Sequence, residues 1–239
     1  MAKFKDIANE TAEEIGIVLP SAIFGISDED AVLVSRFINS ACQEILEARD
    51  WQDLVTPATF TTTGTELQFN IREQFPDYER MVKETFFNRS LNWRIRGSMD
   101  PEAWRAAELL VPTLEGVRFR IYRGGFYLLK NRTAGRSVAF EYVSNYFVTT
   151  AKDSSPAAAV TADDDDILFD KRLVVLGAKW RLLKQAGLEF NIARAEYIQR
   201  LAYCKAKDVP PETVSLNGNR GDLYDAFASD DGTLNVVLT

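Results

Sequence analysis

Hydrophobic positions recur most regularly between Asp166 and Asp208, and that stretch organises the reading of the chain. Phe169, Leu173, Leu176, Trp180 and Leu183 follow the three-and-four spacing that lines one face of a helix. A second apolar line, Leu168, Val175, Ala178 and Leu182, runs along another side. Gly187 suits the left-handed residue that closes a helix. Beyond it, Phe190, Ala193, Tyr197, Leu201 and Cys204 mark one face of a partner helix. A helix with two apolar lines either lies inside its own chain's core or shares itself between that core and another subunit. The second arrangement assigns Leu168, Val175, Ala178 and Leu182 to subunit contact.

Helical spacing returns at the other end of the chain. Phe4, Ile7, Ala8, Ala12 and Ile15 predict a first helix, closed by Gly16 and Pro20. Ser27–Asp30 supplies a cap and acids at the start of a second, whose buried stripe is Val34, Phe37, Ile38, Ala41, Ile45 and Ala48. Trp51 stands at its exit, where a large ring seals a bundle end. Between the helical ends the period changes to two. ATFTTT, Gly64 and TELQFNI read as a hairpin; MVKETFFN and SLNWRIR read as a second strand pair around Asn88–Ser90. Asp100 and Pro101 open a short helix. VRFRIY, Gly124-Gly125 and FYLLK form the clearest hairpin, since glycines permit the positive angles of a tight primed turn. SVAFEYVSNYFVTT supplies a long strand with Phe140, Tyr142 and Tyr146 alternating. Residues 151–166 read as a loop. Its acids Asp163–Asp166 lack the alternating ligands of a calcium loop and read as solvent-facing acids at a helix start.

The expected fold is α+β and mainly helical. Helices in 4–50 and 166–208 form a bundle, a hairpin-rich insertion fills 55–150, and the whole makes one domain, 1–208. An extended arm, 209–239, follows; it holds five acids and one base. Leu223, Tyr224, Phe227 and Val236 make the arm unusually apolar, which points to docking on a partner, with strand addition one route for the last segment.

Composition narrows the chemistry. The chain has 239 residues, 46% hydrophobic and 26% charged, as in ordinary globular proteins. No run approaches the roughly 20 apolar residues of a membrane span. The N-terminus turns acidic before a signal-peptide core can form, which argues against secretion by that route. Cys42 and Cys204 are too few for a disulfide framework and read as small buried residues. The net charge of −7 argues against wrapping nucleic acid, though not against standing beside it. The chain contains no histidine, which removes Ser-His and Cys-His pairs, His-ligated zinc and the usual general base near neutral pH. Neither a P-loop nor GxGxxG occurs. Carboxylate-pair hydrolysis stays open, and with it a glycan-binding or glycan-cleaving reading in which Trp93, Tyr122 and Phe126 form a sugar platform.

The order of segments resembles the head-to-tail adaptor (connector, tail accessory or tail tubular) proteins of tailed, mainly short-tailed, bacteriophages. The resemblance rests on EARDWQDL (Glu47–Leu54), ATFTTTGTELQFNI (Ala58–Ile71), RGSMDPEAWRA (Arg96–Ala106), FRIYRGGFYLL (Phe119–Leu129), AFEYVSNYFV (Ala139–Val148) and LFDKRLVVLGAKWRLLKQAGLEF (Leu168–Phe190). It covers residues 4 to 208, and no piece is a catalytic signature. The resemblance implies a virion ring, typically of twelve copies, at the head-tail junction, assembled in the cytoplasm of a bacterial host. Its partners would be the portal protein, the tail or nozzle protein and further copies of itself, and DNA would pass through its channel without sequence-specific binding. It implies no membrane, catalytic residue, metal or cofactor. A neck or tail-completion ring elsewhere in the particle fits the same segments.

Overall fold

The computed structural model describes residues 2–109, 118–129 and 133–208, in a compact unit that ends at Asp208. A two-residue strand β1 (Ala2–Lys3) leads into α1 (Phe4–Ile15) and α2 (Glu29–Glu47). Then come β2 (Val55–Thr61), β3 (Leu67–Asn70), the single turn α3 (Ile71–Gln74), β4 (Tyr78–Met81), β5 (Phe87–Asn88), β6 (Trp93–Arg94) and α4 (Pro101–Leu109). Strands β7 (Arg118–Tyr122), β8 (Gly125–Leu129), β9 (Ser137–Ser144), β10 (Val148–Thr149), β11 (Pro156–Ala157) and β12 (Asp166–Ile167) precede α5 (Lys171–Gln185) and α6 (Asn191–Lys207).

The mainly helical bundle expected from sequence is corrected. Among the described residues, helices hold 40% and about 23% lie in strands of three antiparallel sheets. The strands build a core of their own. Strand β9 is paired along both edges, with β2 on one side and β4 and β5 sharing the other. The second sheet has the order β3-β8-β7. Between these sheets lies an aromatic core in which Phe86 stacks on Phe119 at 4.4 Å and on Phe140 at 4.7 Å, with Phe60 and Phe126 beside them. Offset ring pairs of this kind add to the burial of large apolar surfaces.

The hairpin expected across Gly64 does not form. Strand β2 pairs with β9 over seven residues, from Val55 opposite Val143 to Thr61 opposite Ser137, while β3 pairs with β8 in the other sheet. A long unbroken register with a distant strand outweighs a short local one. The hairpin at Gly124 does form, with its turn one residue earlier than the glycine pair suggests. Tyr122 faces Gly125, and the turn residues are Arg123 (φ 47°) and Gly124 (φ 76°). Two successive positive φ values make the primed turn. Gly125 serves packing instead: a Cβ there would come within 2.8 Å of the Tyr127 ring and 2.9 Å of Leu67.

The helical core is centred on α5, which packs against α1, α2 and α6. Its run Leu173–Ala178 is buried without a break, as in a helix covered on several sides. The helix begins later than the sequence suggests. Asp170 caps it by accepting from the Leu173 N–H at 2.9 Å, whereas Asp166 belongs to β12. Gly177 lets α2 approach closely, since a Cβ there would stand 2.9 Å from the Ala41 Cβ. Glu10 and Glu14 of α1 pair with Lys171, Arg172 and Lys179 of α5. Strand β9 joins the two cores: Val138, Phe140 and Tyr142 face the aromatic one, and Val143 enters the helical one.

Candidate interaction surfaces

The four residues assigned to subunit contact are committed to the chain's own core. Val175 and Ala178 are fully buried, Leu182 is 4% exposed, and Leu168 is half-buried against the same cluster. Because α5 lies between other helices, its apolar lines are consumed within the chain, and Val175, Ala178 and Leu182 have no surface to offer a neighbour; Leu168, before the helix, keeps part of its surface. Leu223, Tyr224, Phe227 and Val236 lie outside the described residues. The sugar platform is not assembled either. Phe126 is fully buried, while Trp93 and Tyr122 stand in different sheets.

Of the acids Asp163–Asp166, Asp163 and Asp165 are tied to backbone, whereas Asp164 is exposed and pairs with Lys3. Asp163 accepts from the N–H groups of Ile23 (3.0 Å) and Phe24 (3.0 Å), fastening the α1–α2 link. Asp165, 1% exposed, accepts from the N–H groups of Ala151 (3.0 Å), Thr161 (2.8 Å) and Ala162 (2.9 Å) and from the Thr161 hydroxyl. Burial alone would raise its carboxyl; the donors outweigh burial and hold it below its ordinary value. Among the described residues no cluster of three or more Cys, Asp or Glu could hold a metal ion. Both cysteines are free, and burial pushes each thiol up, away from nucleophilic use.

Among the described residues, α6 carries an exposed apolar face. Advancing about 100° per residue, Ile192, Ala195, Ile198, Gln199, Ala202, Tyr203 and Ala206 share the side opposite Ala193 and Tyr197, which pack on α5. Ile192 is 71% exposed, Ile198 52% and Tyr203 56%. The face runs about 21 Å along the helix. Lys205 and Lys207 flank it together with the exposed acid Glu196; Arg194 turns toward the Trp180 ring of α5, and Arg200 is taken up by Asp170, at 2.8 and 3.0 Å. The sequence carried a signal for this surface: Ile192, Ile198 and Tyr203 fall off the stripe that faces α5. A patch of opposite sign lies at the start of α2, where Asp28, Glu29 and Asp30 are exposed together with Ile26 and Val32.

A groove of about 480 Å³ separates α4 from the outer face of β7 and β8. Pro101, Trp104, Arg105 and Glu108 line one wall, and Arg120, Tyr122, Tyr127 and Glu66 the other. Phe119 and Ile121 point into the aromatic core, so Arg118, Arg120 and Tyr122 face outward by strand alternation. The guanidinium carbons of Arg120 and Arg123 stand 4.7 and 5.2 Å from the centre of the Tyr122 ring. Glu108 is engaged by the Trp104 indole N–H at 2.8 Å and by Arg105 at 2.9 Å.

Comparison of this chain with models of known protein families finds no match, and comparison with curated proteins finds none either.

Proposed function

We propose that this chain is a structural subunit that associates head to tail with further copies of itself. In the setting its segment order resembles, it forms the adaptor ring between the portal of a tailed phage and its tail, and DNA passes through the channel. Its work on this reading is assembly rather than catalysis.

The observation that supports association is the pair of exposed patches of opposite charge. The apolar face of α6 is flanked by Lys205 and Lys207 with one acid, Glu196, and the apolar start of α2 carries three acids. Exposed apolar side chains grouped on one helix face supply the kind of surface through which subunits associate. Complementary charges orient the encounter and reject like against like. Because the two patches differ, the contact they make is heterologous, and such contacts close into rings when the rotation permits.

Absolute mass by light scattering tests this, on the protein alone and mixed with a portal ring. A defined multi-copy species in either case supports the reading, and Ile192→Glu with Ile198→Glu should abolish it while the thermal melt stays near wild type. A neck or tail-completion ring would assemble through the same faces and ignore the portal. A chain that stays monomeric in both cases overturns the proposal.

A further inference from the structure

The chain as a whole is acidic, yet its charge is unevenly divided. From Arg89 to Arg136 there are ten bases and four acids, a net of +6, so the rest of the chain carries −13. Part of this excess is concentrated on one edge of the groove beside α4. Arg118 and Arg120 project from the outer face of β7, and Arg123 occupies the adjoining turn. None of the three has an ion-pair partner among the described residues, whereas Arg94 and Arg105 are paired with Glu84 and Glu108.

We propose that this edge, Arg118, Arg120 and Arg123 around Tyr122, is a contact for a phosphodiester backbone. All three cations are arginines, whose planar fork matches phosphate oxygens two at a time. Arg120 and Arg123 already lie against the Tyr122 ring, so less side-chain freedom is lost when an anion binds. The strand fixes the spacing of Arg118 and Arg120 at about 7 Å along its axis. The exposed Tyr122 ring, with the half-buried Tyr127 next to it, beside a row of arginines suits nucleic acid better than a sulfated sugar chain, because only the former brings flat bases to stack. Glu66, on the groove wall, keeps the anion at the arginine edge. The contact reads backbone and not sequence. It stands on the single chain and does not depend on the ring; within the ring reading it gives the passing DNA a place to touch the wall.

Fluorescence anisotropy with the full chain and labelled DNA of mixed sequence, duplex and single-stranded in separate arms, tests the assignment. Three phosphate contacts predict that duplex affinity falls about 40-fold between about 50 and about 200 mM salt, and the single-strand arm somewhat less. Arg118→Ala, Arg120→Ala and Arg123→Ala together should lower affinity at least tenfold at low salt and flatten the salt dependence. Arg194→Ala with Lys207→Ala, on α6, should change neither. If the triple variant does not fold, Arg118→Glu at its exposed position carries the test, with a tenfold loss expected. No binding in either arm at low salt overturns the proposal, as does binding that the arginine variants leave intact. Equal binding of a sulfated polysaccharide overturns the nucleic-acid assignment. Light scattering on the same samples separates the two readings. DNA binding by a chain that never assembles removes the ring alone, and assembly without DNA binding removes this contact alone.

Discussion

Asp165 shows how much a single buried side chain can hold. Its carboxylate ties three backbone N–H groups and one hydroxyl from two separate loop segments, 151 and 161–162. Hydrogen bonds to an ionised group contribute about 1.5–3 kcal/mol each at most, and stranding the donors costs more than losing the bonds. Asp165→Ala should therefore destabilise by about 3 kcal/mol or more, read as a lower urea midpoint with an unchanged slope. The carboxyl's value in the folded chain lies below the ordinary 3.8, so its stabilisation is complete above that value and is lost as pH falls through the lower folded one. Asp170 and Glu14 shift in the same direction: burial raises each, and arginine and lysine partners outweigh it. With no histidine in the chain, stability should stay flat from about pH 5.5 to about pH 8.5 and decline in acid. The Asp165→Asn variant should show a shallower decline. Four successive aspartates read as exposed helix-start acids because the sequence shows their spacing from α5 but not the amides that fold back onto Asp163 and Asp165; Asp164 is exposed as read.

At the scale of elements, the two cores are joined by polar contacts at the end of α2. Arg80 of β4 donates to the carbonyls of Leu46 (2.9 Å) and Arg49 and pairs with Asp50 at 2.7 Å. A cation at a helix C-terminus satisfies carbonyls that have no partner within the helix and complements its dipole. Trp51 caps the same end by donating to the Ile45 carbonyl at 2.6 Å, and Arg49 pairs with Asp208 at 3.3 Å, fastening the end of α6. Arg80→Met keeps the aliphatic stem and removes the donors; we expect a loss of about 2 kcal/mol, seen in the urea midpoint. Gly177→Val should cost about 1–3 kcal/mol, because the Ala41 Cβ it would strike is fixed to the α2 backbone. The helices themselves were legible from period and caps. The partners of β2 and β3 were not, since alternation states which face a strand buries and leaves open which strand it joins.

For the molecule as a whole, buried and exposed apolar residues of similar chemistry separate by location. Val175→Glu places a charge in the centre of the helical core and should unfold the chain, visible as loss of the cooperative thermal transition. Ile198→Glu lies on the outward side of α6 and should leave the melt within about 0.5 kcal/mol of wild type. Exchanging these two outcomes would place the core on the other side of α6. The contrast also shows why Val175, Ala178 and Leu182, assigned from sequence to subunit contact, are buried in the chain's own core although the helix that carries them was legible apart from its start.

What the sequence determined by itself is local: which stretches are long helices, roughly where they begin and turn, which side of β9 is apolar, and that histidine chemistry is absent. These follow from periods of 3.6 and 2 and from side-chain composition, which act over a few residues. Tertiary structure alone decided that both faces of α5 are covered, that β2 joins β9 and β3 joins β8, and that Asp165 is buried under amides. Among the described residues it also left an apolar face of α6 exposed and set Arg118, Arg120 and Arg123 on one edge. Each of these depends on which segments meet in space, and contact free energies between distant segments are not written in the pattern of either one.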